Sequence, residues 1–311
     1  MPRAPAIAGL AAAALAAGAT TRPADLYDAG EIYCCGGRDV WLLNVEQARA
    51  DPTRRVWSWR AGDSPQIRPE HRAWFGAMDE CKPVMGGRAV LVSSSSAGGV
   101  ALIRRRDKAC LFYCGGRNAH SAELIGDDLV AGAFSFRSDH LRLYRLGGEA
   151  LPARRDWLMK LPGAHGVVWD RAREVLWALG SAELLKLKVN RPEPGDEKAS
   201  AEVLKRWKLP RPGGHDLFPL DDRRLAVTVG RGVYTFDAAT EAFAPMKELA
   251  GKAAVKSVCR HPRTGRIAYV QGDPTFAGRI SFVGAEPLGL DGRKDLYKAR
   301  WNMPNAFSHG R

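Results

Sequence analysis

Residues 165–210 contain the segments HGVVWD (165–170), RARE (171–174), VLWALG (175–180), ELLKLKVN (183–190) and AEVLKRWKLP (201–210). Four of the five are rich in β-branched and aromatic residues. They are separated by charged, Gly or Pro punctuation, the pattern of short strands joined by turns. Four consecutive antiparallel strands make one blade of a β-propeller. No amphipathic helical pattern of useful length interrupts them, and outside this stretch only residues 45–50 suggest a single helical turn.

The same unit recurs along the chain. Short strings that open a unit are ECKPV (80–84), NAHSA (118–122), GAHGV (163–167), GGHDL (213–217), AVKSV (254–258) and LYKAR (296–300). Their third residues are Lys82, His120, His165, His215, Lys256 and Lys298, and each is followed by a compact residue. A repeat of roughly 40 to 50 residues is the period of a propeller blade. The first strand patterns, EIYCCGG (31–37), DVWLLNV (39–45) and RRVWSWR (54–60), lack an opening string, and the last string lacks following strands. The two chain ends therefore complete one blade together, which removes the exposed sheet edges that invite aggregation. The expected fold is an all-β, six-bladed β-propeller closed by pairing of N- and C-terminal strands. Segments 61–78 and 190–199 are longer connections.

The first 19 residues stand apart. Arg3 precedes the small apolar run AIAGLAAAALAAGA (6–19), and Ala17-Gly18-Ala19 fits a cleavage pattern. This order is that of a signal peptide. Residues 20–311 are then the propeller, and the expected location is secreted or periplasmic. No later run is long and apolar enough for a membrane span. Export permits disulfides among Cys34, Cys35, Cys81, Cys110, Cys114 and Cys259, although buried free thiols are the plainer reading. Cys34 and Cys35 are adjacent in a strand pattern and point to opposite faces.

The formal net charge is +13 and the pI about 9.7. That balance favours an anionic partner. No recognisable nucleic-acid motif is present, so no nucleic-acid partner is expected and an acidic carbohydrate is favoured. There is also no G-x-S-x-G elbow, P-loop or dinucleotide fingerprint, and no repeated Trp-Asp dipeptide.

In a propeller the first strand of each blade lines the central channel. Six equivalent positions at the strand starts would gather Lys82, His120, His165, His215, Lys256 and Lys298 at one mouth. Crowded cations of this kind lower lysine pKa values and keep His neutral. His120, His165 and His215 are the candidate general bases. Lys82, Lys256, Lys298 and Arg300, with Arg137 in FSFRSDH (134–140), are the candidate binders of an acid group. Trp74 in HRAWFGAMDE (71–80) is a candidate sugar-stacking residue, or else an anchor of its loop. Glu80, Glu123 and Asp216 sit beside the ring and are expected to pair with the lysines. No cofactor is expected; the remaining possibility is a divalent metal on the three His, which the nearby ammonium groups would oppose.

The strings DECKPV, NAHSAEL, AHGVVWD, GGHDL and LYKARW, in this order, resemble a bacterial family of propeller proteins carried as a domain of unknown function. The resemblance implies the fold and no established activity. A looser resemblance runs to propeller-type polysaccharide lyases, including oligogalacturonate lyases, whose His residues stand over the channel. It implies β-elimination on a uronic-acid sugar, with no role assigned to a matched residue. The alternative is a non-catalytic module that binds an anionic glycan or a protein partner at the same mouth.

Overall fold

The computed structural model describes residues 26–95, 97–148, 150–191 and 198–307. The leader-like segment 1–19 and most of the polar loop at 190–199 lie outside them.

Six four-stranded antiparallel sheets form the fold. The closing blade takes β1 (Glu31–Gly36), β2 (Asp39–Asn44) and β3 (Trp57–Trp59) from the start of the chain. The single-turn helix α1 (Val45–Ala50) follows β2 and is capped by the Asn44 side chain. The first internal blade is β4 (Met78–Val84), β5 (Ala89–Ser94), β6 (Gly99–Arg104) and β7 (Cys110–Gly115). The second is β8 (Ala119–Ile125), β9 (Leu129–Phe134), β10 (His140–Arg145) and β11 (Arg155–Lys160). The third is β12 (Gly166–Asp170), β13 (Val175–Leu179), β14 (Glu183–Asn190) and β15 (Ser200–Lys208). The fourth is β16 (Asp216–Pro219), β17 (Arg224–Val229), β18 (Gly232–Asp237) and β19 (Ala242–Pro245). The fifth is β20 (Val255–Arg260), β21 (Ile267–Gln271), β22 (Arg279–Phe282) and β23 (Ala285–Gly289).

The last strand, β24 (Leu296–Trp301), returns to pair with β1 and becomes the inner strand of the closing blade. Ile32 lies opposite Trp301 and Cys34 opposite Ala299. Inner strands of successive blades touch all the way round, with β24 against β4. The protein is thus a six-bladed propeller with the expected closure.

Strand alternation explains how the blades hold together. Along β2, Val40 and Leu42 enter the seam with the first internal blade, while Trp41 and Leu43 enter the seam with the fifth. Each of the six seams carries one apolar cluster. Burial of each large side chain there contributes about 1.5–3 kcal/mol. Segment 61–78 is not plain loop: it forms 3-10 turns at Ala61–Asp63 and Pro69–Phe75, which seat Phe75 under Trp59 at 5.7 Å.

Candidate functional site

The entry to each inner strand sets the site. In three blades the ladder skips one residue: Asp79 between Met78 and Glu80, His120 between Ala119 and Ser121, and Lys256 between Val255 and Ser257. Tyr297 is the corresponding unpaired residue of β24. His165 and His215 stand immediately before the first paired residues of β12 and β16. A residue left out of the ladder is free to turn its side chain away from the sheet. The equivalent ring is therefore Asp79, His120, His165, His215, Lys256 and Tyr297.

Contacts run through this ring. The His120 and His165 rings stack at 4.1 Å, and His165 meets His215 edge-on at 4.8 Å. Lys256 Nζ lies 3.2 Å from His215 Nε2. The Tyr297 hydroxyl is 3.5 Å from His120 Nδ1, and Asp79 Oδ1 is 4.0 Å from the same nitrogen. Asp79 Oδ2 has no hydrogen-bond partner. Phe136, 59% exposed, stands 5.7 Å from His165, and Phe276, 42% exposed, stands 6.0 Å from Tyr297. The ring is buried except at His215, which is half-buried, and the two exposed phenylalanines stand beside it.

Two imidazole tautomers follow from these contacts. His165 Nδ1 is 2.9 Å from the Gly163 carbonyl, which only accepts, so this nitrogen carries the proton. His215 Nε2 faces an ammonium and must accept. The carbonyl at Gly163 is placed by a left-handed residue, φ +59°, where a Cβ would lie 2.1 Å from Ser181 Oγ. That turn needs glycine.

Burial sets the protonation of the ring. It lowers His120 well below 6.5 and His165 to about 4, in the latter case against the bond to Gly163. Burial, then His165 and Lys256, lower His215 to about 3. Burial and then Lys298 lower Lys256 from its ordinary value. Burial raises Asp79 to about 7, against a hydrogen bond from Ser95. At neutral pH the three imidazoles are uncharged and weakly basic, and Asp79 is the carboxyl that titrates there.

Beneath the ring lies a sealed ionic layer. Arg300 donates from Nε and Nη2 to Glu80 at 2.9 Å each, and from Nη1 to Asp216 Oδ2 at 2.9 Å. Lys298 Nζ lies 3.0 Å from Asp216 and 3.3 Å from Glu80. All four side chains are fully buried. Burial opposes each charge. Arg300 and Lys298 nevertheless hold Glu80 down to about 2 and Asp216 below the carboxylate range, while the two acids raise Lys298. Deeper still, Lys82 Nζ donates to Glu123 Oε2 and to the Val167 carbonyl, each at 2.7 Å. Lys82 borders a cavity of about 1080 Å³ with Phe218, Trp169 and Met303, at the opposite end of the channel.

The placement of the sequence-derived residues is therefore divided. His120, His165, His215 and Lys256 come together at one mouth. Lys298 is one residue too deep and lies with Arg300 in the ionic layer beneath the ring, and Lys82 sits three residues beyond the true ring position, toward the far end. Matching strings by basic character overrode the position of the ladder skip, where the first blade carries Asp79 and the last Tyr297. As expected, Glu80, Glu123 and Asp216 pair with the lysines. Arg137 is exposed next to Phe136, in the turn between β9 and β10, with φ +71°. Trp74 stacks on His71 at 3.9 Å and covers Gly115 of an outer strand, so it anchors its loop and is no part of the mouth. Among the described residues, no group of three His, Cys, Asp or Glu side chains is arranged to hold a metal ion. The stacked His120 and His165 rings and the Lys256 contact to His215 explain why the three imidazoles do not form one.

Fold and ring together define a six-bladed propeller with a polar, aromatic-flanked channel mouth. The chain belongs to DUF6528, a family of unknown function whose model matches residues 42–311. No curated protein matches it. Its fold is similar to that of a chain in a nidogen/laminin complex, at TM-score 0.56 and 10% identity, covering 86% of this chain and 97% of that one. A protein of unknown function from Bacteroides caccae aligns at TM-score 0.51 and 12% identity, over 78% and 83% of the two chains. The WD40 domain of Neurospora crassa Pan2 aligns at 0.52 and 11%, over 83% and 74%. At these identities the likeness is one of fold alone. No helix among the described residues is long and apolar enough to cross a membrane.

Proposed function

We propose that the mouth around Lys256 binds the carboxylate of an acidic, uronic-acid-containing carbohydrate. One observation carries this reading. Lys82, Lys298 and Arg300 are each paired with a buried carboxylate, whereas Lys256 has no ion-pair partner among the described residues. An ammonium held in partial burial gains most from an incoming anion that forms a charge-assisted hydrogen bond. The rest of the ring suits a sugar. The Tyr297 hydroxyl is a donor, the Nε2 atom of His165 is an acceptor, and Phe136 and Phe276 offer apolar faces to a pyranose ring. The far cavity is the weaker candidate, because two of its cations are already engaged, Lys82 by Glu123 and Arg191 by Asp128 at 3.5 Å.

The reading is of a binding module before an enzyme, since imidazoles with such depressed basicity make poor proton acceptors at neutral pH. A lyase reading is favoured by Asp79 alone: its pKa near 7 suits removal of the proton beside a uronate carboxylate. Incubation with a panel of uronic-acid polymers separates the two. Binding without an absorbing unsaturated product supports the module, and product formation lost in Asp79→Asn supports the lyase. The leader pattern at 1–19 fits an extracytoplasmic ligand, and N-terminal sequencing of exported protein is expected to begin near Thr20.

A further inference from the structure

We propose that Cys35 and Cys81 form a disulfide across the seam between the closing blade and the first internal blade when the chain folds under oxidising conditions. The two thiols lie close enough to interact, with the Cys35 thiol also 3.7 Å from the Lys298 carbonyl. Both are fully buried in the same apolar cluster, and the strands that carry them, β1 and β4, pack together. The backbone is pinned nearby, since Met78 N–H donates to the Gly37 carbonyl at 2.8 Å.

The remaining cysteines are placed elsewhere. Cys34 faces the opposite seam, in the cluster that also holds Cys259, whose thiol donates to the Ala299 carbonyl at 3.4 Å. The skipped residue Leu111 in β7 turns Cys110 and Cys114 to opposite sides of their blade, and they lie in different clusters. Cys110 donates to the Phe112 carbonyl at 3.1 Å. Cys35 and Cys81 are thus the pair brought into thiol–thiol contact between two blades.

The seam gives the cross-link a purpose. The closing blade is the one assembled from both chain ends, so β1–β3 are joined to their inner strand β24 by non-covalent pairing alone. Bridging residues 35 and 81 restricts the unfolded chain and ties those strands to the first internal blade. Both thiols are fully buried, so an oxidant in solution cannot reach the folded pair. The bond must therefore form before the seam closes. A thiolate attacks a low-molecular-weight or protein disulfide to give a mixed disulfide, and the second thiolate displaces the leaving thiol. The two cysteines lose two protons and two electrons, and the oxidant is reduced to two thiols.

The test uses the full chain. Denatured protein is refolded in parallel in a buffer of oxidised and reduced glutathione and in excess reductant, and thiols are counted in denaturant. The oxidised sample is expected to show two fewer thiols, a tryptic peptide pair whose fragmentation places the bridge between Cys35 and Cys81 rather than Cys34, and a higher Tm than the reduced sample. Cys81→Ser is expected to keep every remaining thiol free, and Cys110→Ser still to lose two. Should Cys81→Ser fail to fold, peptide mapping of the wild-type chain decides. Full recovery of all six thiols after oxidising refolding, or a bridge between any other pair, overturns the proposal.

Discussion

Lys256 Nζ lies 3.2 Å from His215 Nε2, and no carboxylate shares that contact. A cation at the mouth is thus hydrogen-bonded to a neutral acceptor, whereas every cation deeper in the channel that was expected at the site faces an acid. This difference separates the binding surface from the scaffold.

The scaffold makes the first prediction. Replacing Arg300 with Met leaves Glu80 and Asp216 buried with only Lys298 to compensate them. The expected loss of stability is about 3–5 kcal/mol, because an uncompensated buried charge remains. Urea unfolding monitored by tryptophan fluorescence checks it. A loss within the range of an ordinary surface substitution would show that the ionic layer is not structural.

Acid pH attacks the same layer. Glu80 has a folded pKa of about 2 against an ordinary 4.5, and Asp216 is shifted in the same direction. A lowered carboxylate pKa gives stability that is complete above the unfolded value and is lost as pH falls through the folded one. The histidines act earlier. His165 and His215 fall from 6.5 to about 4 and about 3, so the unfolded chain binds more protons below pH 6.5. Stability is therefore expected to decline from pH 6.5 downward, with a second fall below pH 4.5. Replacing His165 with Gln should flatten the first segment and leave the second. Equal slopes in the two proteins would contradict the assigned burial.

Asp79 carries the opposite sign. Its pKa is raised from 3.8 to about 7, so the folded state binds more protons than the unfolded state across that interval. Its contribution to stability therefore decreases as pH rises from about 4 to about 7 and is constant above. Asp79→Asn is expected to raise Tm at pH 8 more than at pH 5, read by thermal melts in matched buffers. The ionised carboxylate also opposes an anion at the mouth. Wild-type affinity for an acidic sugar should drop as pH passes 7, and that drop should be absent in the variant.

The fold was largely legible. Strand-and-turn punctuation in HGVVWD–RARE–VLWALG and the incomplete units at both ends specify blade architecture and closure, because each depends on local pattern. Four of the six ring positions were legible for the same reason: His120, His165, His215 and Lys256 stand at the same place in four similar strings. Asp79 and Tyr297 were missed because a ladder skip is a property of paired strands, and one strand's sequence does not reveal it. Lys82 drew attention by charge, although its neighbour three residues earlier holds the ring position. Phe136 and Phe276 carried a weak signal, a large apolar residue within a polar turn, in FSFRSD and DPTFAG.

The most direct test of the binding reading is calorimetric titration of galacturonate oligomers into the wild-type protein and Lys256→Met, at low and high salt. The account predicts saturable binding to wild type that weakens as salt screens the ammonium, and loss of about tenfold or more in affinity in the variant while its Tm changes little. Binding that is unchanged in Lys256→Met, or no heat from wild type at millimolar ligand, would contradict it.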